Sequence, residues 1–238
     1  MRLLNITRVL ATAALLTACG PKAHIPKRPI AFPSAIANGD PAANLARALA
    51  PVLYLQRDEW FQLERIVAVL HPNRPIIGYY LLWRDDVHGA WIPFTKATDE
   101  EIVWVGYDST HAPTDVWTYW HGKILHADWR GRGTVLIDVQ WGKHGSLPRG
   151  MMDEAPLWPR TLSTFWVTSW AGLPDIWLGR ITRTGPLCFC RGYRRYRTFD
   201  RPLHVGPRID VIAREANPDP ILGAFFGRPY SEKPAWPW

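Results

Sequence analysis

The sequence predicts a mainly β protein, an antiparallel β-sandwich with a few short helices and an irregular C-terminal tail. Two observations carry this expectation. Short runs of β-branched and aromatic residues recur between residues 64 and 141, each closed by a short turn, and strands at that spacing fold back on one another as sandwiches or barrels. The chain also holds 14 Trp, twelve of them between Trp60 and Trp177. Each indole brings a large apolar area and one N–H that needs a partner. A β-rich aromatic core uses such residues well; an exposed platform for sugar rings or lipid headgroups is the alternative.

The elements follow in chain order. Asn38-Gly39-Asp40-Pro41 reads as a helix start, with Asp40 as cap and Pro41 in the first turn. A short helix is expected to run through Ala50, where Pro51 ends it. Strands are expected over 64–70 and 76–83, joined by the turn His71-Pro72-Asn73-Arg74-Pro75. Residues 101–107 are apolar on both faces, as in a central strand covered on both sides. Segments 116–121 and 124–129 flank Gly122-Lys123, a tight hairpin. In a further strand over 134–141, Val135, Ile137, Val139 and Trp141 share one face while Asp138 and Gln140 share the other. Residues 162–170 fit either helix or strand, and 180–196 a hairpin, before the Pro-rich end from Pro218.

The first residues have a different character. Arg2 and Arg8 are the only charges before an apolar run over 9–18, which is shorter than the ~20 residues needed to span a bilayer. Leu16-Thr17-Ala18-Cys19-Gly20 follows and resembles the lipobox of bacterial lipoproteins. The resemblance implies cleavage before Cys19, a diacylglyceryl group on its sulfur, and a membrane tether. Gly20 in place of Asp implies delivery to the outer membrane, facing the periplasm. Residues 1–18 thus read as a signal peptide, 19–39 as a lipid-anchored Pro-rich linker, and 40–238 as one sandwich-like domain. Cys188 and Cys190 remain as a strained bridge or as two thiols.

Charge is unevenly spread. The formal net charge of +7 falls to +5 without Arg2 and Arg8, and nine Arg against only Asp200 and Asp210 lie within residues 180–214. Within that segment Arg191, Arg194, Arg195, Arg197 and Arg201 interleave with Tyr193, Tyr196 and Phe199. Guanidinium groups beside aromatic planes suit phosphate and anionic glycan. In a cell envelope the expected partners are anionic lipid, lipopolysaccharide or glycan, with nucleic acid not expected. A solvated basic face is the simpler use of the same residues.

Two stretches suggest a site. Asp99-Glu100-Glu101 immediately precedes a strand, and in extended chain Asp99 and Glu101 project to one side and could share a hard cation. Gly142-Lys143-His144-Gly145-Ser146-Leu147-Pro148 places His144 next to glycine, which lets other groups approach its ring. A solvated acidic turn accounts equally for the first stretch. Over about residues 50–150 these stretches resemble the β-sandwich superfamily of necrosis-inducing and vacuolar-sorting-type proteins. The resemblance implies a divalent cation, calcium or magnesium, held at a lipid headgroup surface by Asp99, Glu101 and an upstream histidine; His144 is the further candidate ligand that this sequence offers. Lys96 stands where that pattern has a histidine, and Glu100 where it has an aromatic. His71 and His121 read as structural residues. Ser146 lies beside His144, but no Gly-x-Ser-x-Gly elbow is present.

The sequence therefore points to an envelope lipoprotein with a non-catalytic binding or structural role. A metal-dependent hydrolase of phosphoester or glycan is the alternative. The anchor is directly testable: Cys19→Ser should leave the leader uncut and abolish metabolic palmitate labelling, and a labelled variant would refute the assignment.

Overall fold

The structure, a computed structural model, describes residues 35–56, 59, 61–84, 99–151, 199–226 and 233–238. In chain order these form α1 (Pro41–Ala48), β1 (Val52–Gln56), β2 (Leu63–Leu70), β3 (Ile76–Trp83), β4 (Asp99–Tyr107), β5 (Pro113–Trp120), β6 (Lys123–Asp128), β7 (Leu136–Val139), β8 (Ser146–Pro148), β9 (Phe199–His204), a 3-10 turn (Gly206–Arg208), β10 (Val211–Arg214) and α2 (Asp219–Phe226). The larger sheet has six strands in the order β10-β2-β3-β4-β5-β6; the smaller has four, β8-β7-β1-β9. The mainly β, two-sheet expectation holds. Consecutive strands β2 to β6 pair antiparallel. However, β1–β7 and β10–β2 are parallel. Both parallel pairs join strands far apart in the chain, which is what a parallel connection requires.

Burial explains the sequence pattern. All of β3 is buried, as is β4 between Asp99 and Tyr107. One face of this pair, with Tyr79, Leu81, Val103 and Val105, packs in a cluster with Leu53 of β1 and Ile137 and Val139 of β7. The other face, with Tyr80, Leu82, Ile102 and Trp104, is covered by Phe225 and Phe226 of α2 and by Trp236. A sheet covered on both sides needs apolar residues at successive positions rather than at alternate ones. Of the described Trp, residues 83, 104, 120, 129, 141 and 236 are buried, while Trp238 is 57% exposed. Most of the described indoles are therefore core.

Local signals mostly act as expected. The Asp40 carboxylate accepts from the Ala42 N–H at 2.7 Å and caps α1. The β5–β6 turn is shifted by one residue: His121 and Gly122, with φ of 43° and 97°, are its two central residues. Both φ values are positive, as a type I′ turn demands. Around β7 the supposed polar face is not open, since Asp138 and Gln140 are also buried. The C-terminal region is less irregular than its prolines suggest. Asn217 Oδ1 accepts from the Asp219 N–H at 3.2 Å, and Pro220 sits in the first turn of α2, where its missing N–H costs nothing. The expected segments 162–170 and 180–196 lie outside the described residues, as do the leader, Cys19, Cys188 and Cys190. No helix among the described residues is long and apolar enough to cross a membrane.

Gly206 joins α1 to the end of β9 by close approach. A Cβ there would lie 2.6 Å from the backbone oxygen of Arg47, too close for contact without backbone movement. Gly206→Ala should therefore destabilise the domain by about 1–3 kcal/mol, visible as a lower midpoint in urea at unchanged slope.

Candidate functional site

The β4–β5 ladder runs from Val103↔Thr118 to Tyr107↔Pro113, whereas β4 pairs with β3 as far as Asp99↔Trp83. The first residues of β4 thus have a strand on one side only. Alternation sends Asp99 and Glu101 to the same face as Val103, toward the smaller sheet. There they meet the loop between β7 and β8. In that loop the Gln140 N–H donates to Gly145 O and the His144 N–H donates to Gln140 O, both at 2.9 Å. Gly142 and His144 both have positive φ, 67° and 52°. His144 is thus held in the left-handed region, a conformation that persists only when its surroundings impose it.

Those surroundings are specific. The imidazole has no exposed surface. It stacks on Trp83 at 4.1 Å between centroids and 7° between planes, with Phe61 edge-on at 6.0 Å. Nδ1 lies 3.0 Å from Asp99 Oδ2. Nε2 lies 3.4 Å from Glu59 Oε1, an ion-pair distance without hydrogen-bond alignment. Glu59 also accepts from the N–H groups of Gly142, at 3.0 Å, and Phe61, at 3.3 Å. Burial by itself would lower the His144 pKa. The charge of Glu59 and the bond to Asp99 outweigh it and push the ring up to about 9. Burial would likewise raise Asp99, but the His144 bond and the fields of Lys233 and Lys143 hold it well below the ordinary carboxylate range. At neutral pH an imidazolium therefore lies against the Asp99 carboxylate with its face on an indole.

Glu101 is occupied differently. Its Oε1 lies 3.0 Å from Lys233 Nζ, and its Oε2 is buried without a hydrogen-bond partner among the described residues. Burial raises the carboxyl, while Lys233 at ion-pair distance draws it back toward its charged form. Lys233 itself is raised: burial opposes its charge, but Glu101 and Asp99 more than compensate. Nearby, His121 Nε2 lies 2.6 Å from Gln140 Oε1, and burial lowers its pKa to about 4, so it is neutral. Gly145 has no room for a side chain here, since a Cβ would stand 2.8 Å from Trp120 and 3.0 Å from both Gln140 Oε1 and His121 Nε2.

The structure therefore brings Asp99 and His144 into direct contact and turns Glu101 toward Lys233. No group of three or more His, Cys, Asp or Glu among the described residues is arranged to hold a metal. Ser146 Oγ donates at 3.4 Å to the backbone oxygen of His144, not to its ring. His71 packs against Trp236 and accepts from the Asn73 N–H at 3.1 Å, a structural role. Arg191, Arg194, Arg195 and Arg197 lie outside the described residues. Sequence reasoning missed Glu59, Trp83 and Lys233. Lys233 carried one signal, as a lone charge within the Lys-Pro-Ala-Trp-Pro-Trp end.

A cleft of about 380 Å³ opens beside this array, lined by Glu59, Phe61, Trp83, Leu203, Arg201 and Arg208 among others. No protein-family model matches the chain, and no curated protein matches it. Solved structures to which it is similar include NLPPya in complex with glucosamine, at 12% identity and a TM-score of 0.35, covering 48% of this chain and 70% of that one. Another, described as a toxin fold as basis for microbial attack and plant defense, is 11% identical with a TM-score of 0.36 over 53% and 74%. A third is Necrosis and Ethylene inducing Protein 2 from the causal agent of cocoa's Witches Broom disease, at 14% and 0.34 over 55% and 79%. The likeness is distant and partial.

The protonation of His144 has a pH consequence. Its folded pKa of about 9 lies above the ordinary histidine value of 6.5, so the folded state binds the proton more tightly. The resulting stability is fully present below pH 6.5 and is lost as pH rises through 9. Thermal midpoints should fall over that range, by up to roughly 3 kcal/mol of stability from this group. His144→Gln should be less stable at pH 6 and show a flatter decline; an unchanged slope would refute the imidazolium.

Proposed function

We propose that the chain is a cell-envelope lipoprotein whose sandwich domain binds anionic lipid or glycan without altering it chemically. The observation that carries this reading is the cleft, whose cationic lining residues are Arg201 and Arg208. Both belong to the Arg-rich stretch over 180–214. Arg208 donates through Nη2 to Leu63 O at 3.0 Å, which fixes its position on the rim. Glu59 also lines the cleft, but its charge is met by the His144 ring and by two backbone N–H groups. The two guanidinium groups are the cationic face that the described lining offers a ligand. Phe61 and Trp83 add aromatic wall, a combination suited to a sugar-sized headgroup carrying phosphate or carboxylate. In this reading Arg191, Arg194, Arg195 and Arg197 add to the chain's basic charge, and the lipid on Cys19 holds the domain at high effective concentration near its target.

The hydrolase alternative would need Asp99, Glu101 and His144 convergent around an open pocket. His144 is sealed from solvent, and Glu101 is turned to Lys233, so the binding reading is the better supported.

Unlipidated protein should co-sediment with anionic vesicles or lipopolysaccharide at low salt, and binding should weaken steeply as salt rises. Replacing Arg201 and Arg208 together with Gln should reduce binding at least tenfold, with a smaller loss from changing Arg194, Arg195 and Arg197 to Gln. Failure of the wild-type protein to bind would refute the function. Undiminished binding by the Arg201/Arg208 variant would refute the cleft as its site.

A further inference from the structure

Three carboxylates, Glu59, Asp99 and Glu101, are gathered where β4 leaves its partner β5. Buried carboxylates need compensating charge close by. His144 supplies it between Glu59 and Asp99, with each ring nitrogen facing one of them. The remaining edge, from Asp99 to Glu101, has another source. We infer that Lys233 is the resident cation of this edge: its ammonium, delivered by the C-terminal segment, balances the Asp99–Glu101 step in place of a divalent metal ion.

Placement supports the assignment. Lys233 Nζ stands 3.0 Å from Glu101 Oε1 and 5.5 Å from the centroid of the Tyr119 ring. Its side chain is only 16% exposed, and that of Glu101 is 8% exposed. The segment that carries it is anchored immediately beyond. Ala235 O accepts from Tyr80 Oη at 2.6 Å and from Trp104 Nε1 at 2.8 Å, and Trp236 Nε1 donates to Ala216 O at 2.7 Å. Two buried side chains of the larger sheet thus fix the backbone two residues after Lys233, and the ammonium is delivered from a held point.

The donor set also favours an ammonium over a metal ion. A calcium or magnesium ion gathers several oxygen ligands around itself. Asp99 Oδ2 and both nitrogens of His144 are already directed at one another or at Glu59. Glu101 is engaged through one oxygen, the geometry of a point-charge donor rather than of a bidentate ligand. The inference is independent of what the Arg-lined cleft binds.

The test uses thermal unfolding of the mature chain. The wild-type midpoint should be the same with chelator and with millimolar calcium or magnesium. Lys233→Met should lower it by on the order of 10 °C, because one partner of a buried pair is left alone. Adding Glu101→Gln to Lys233→Met should recover most of that loss in the presence of chelator, since the charge facing Lys233 is then removed together with it, and Asp99 keeps His144. A wild-type midpoint that rises with divalent cation would overturn the inference. So would a Lys233→Met protein as stable as wild type, or a double variant no more stable than the single one, which would leave Lys233 acting by packing alone.

Discussion

Burial of both faces of the β3–β4 pair is the constraint on which the rest of the structure depends. Neither strand offers a polar face to water, so the larger sheet is stable only if something apolar covers each side. The smaller sheet takes one side through Leu53, Ile137 and Val139, and α2 with Trp236 takes the other. The covering layers are also tied by polar atoms. Tyr79 Oη donates to Ala46 O of α1 at 2.8 Å, while Tyr80 and Trp104 donate to Ala235 O. Aromatic side chains with a donor at the tip serve both purposes: the ring fills the core and the tip fixes the next layer.

The charged site follows from where that packing stops. Once β5 separates from β4 beyond Val103↔Thr118, the space beside residues 99–101 is filled by the β7–β8 loop and by Lys233 rather than by another strand. Carboxylates tolerate such a place because each finds a cation or an N–H group. His144 is pinned by Trp83, Phe61, Asp99 and Glu59 together, which is why its left-handed backbone persists. Such an array, closed on itself, is suited to holding a loop and a strand end together. The neighbouring cleft is open and lined by guanidinium groups, and it is the better place for a ligand to arrive.

Much of the sheet was legible in the residues. The strand over 76–83 matches its expected limits, and β2, β4, β5 and β6 differ by a few residues at their ends. Those runs are long, branched and bounded by turn residues, so local preference and burial agree. The site was legible in part. Asp99 and Glu101 do share a face, and His144 does join Asp99. Glu101 has another partner, because Lys233 is brought to it by the fold of the tail. The helix α2 was hidden by flanking prolines, which mark an irregular chain as readily as a helix start.

The sequence by itself determined that β2 to β6 extend, that Asp99 and Glu101 share one side, and that basic charge concentrates over 180–214. Each is a property of neighbours along the chain: alternation, turn chemistry and local composition. Only the tertiary structure decided which smaller sheet pairs β1 in parallel with β7, which carboxylate faces His144 from the far side, and which cation balances Glu101. Glu59 lies in the connection after β1 and Lys233 near the C-terminal end, each distant in sequence from β4. No periodicity links them. They meet because a sheet buried on both faces draws remote segments over its edges, and a charge carried into that interior must find its opposite there.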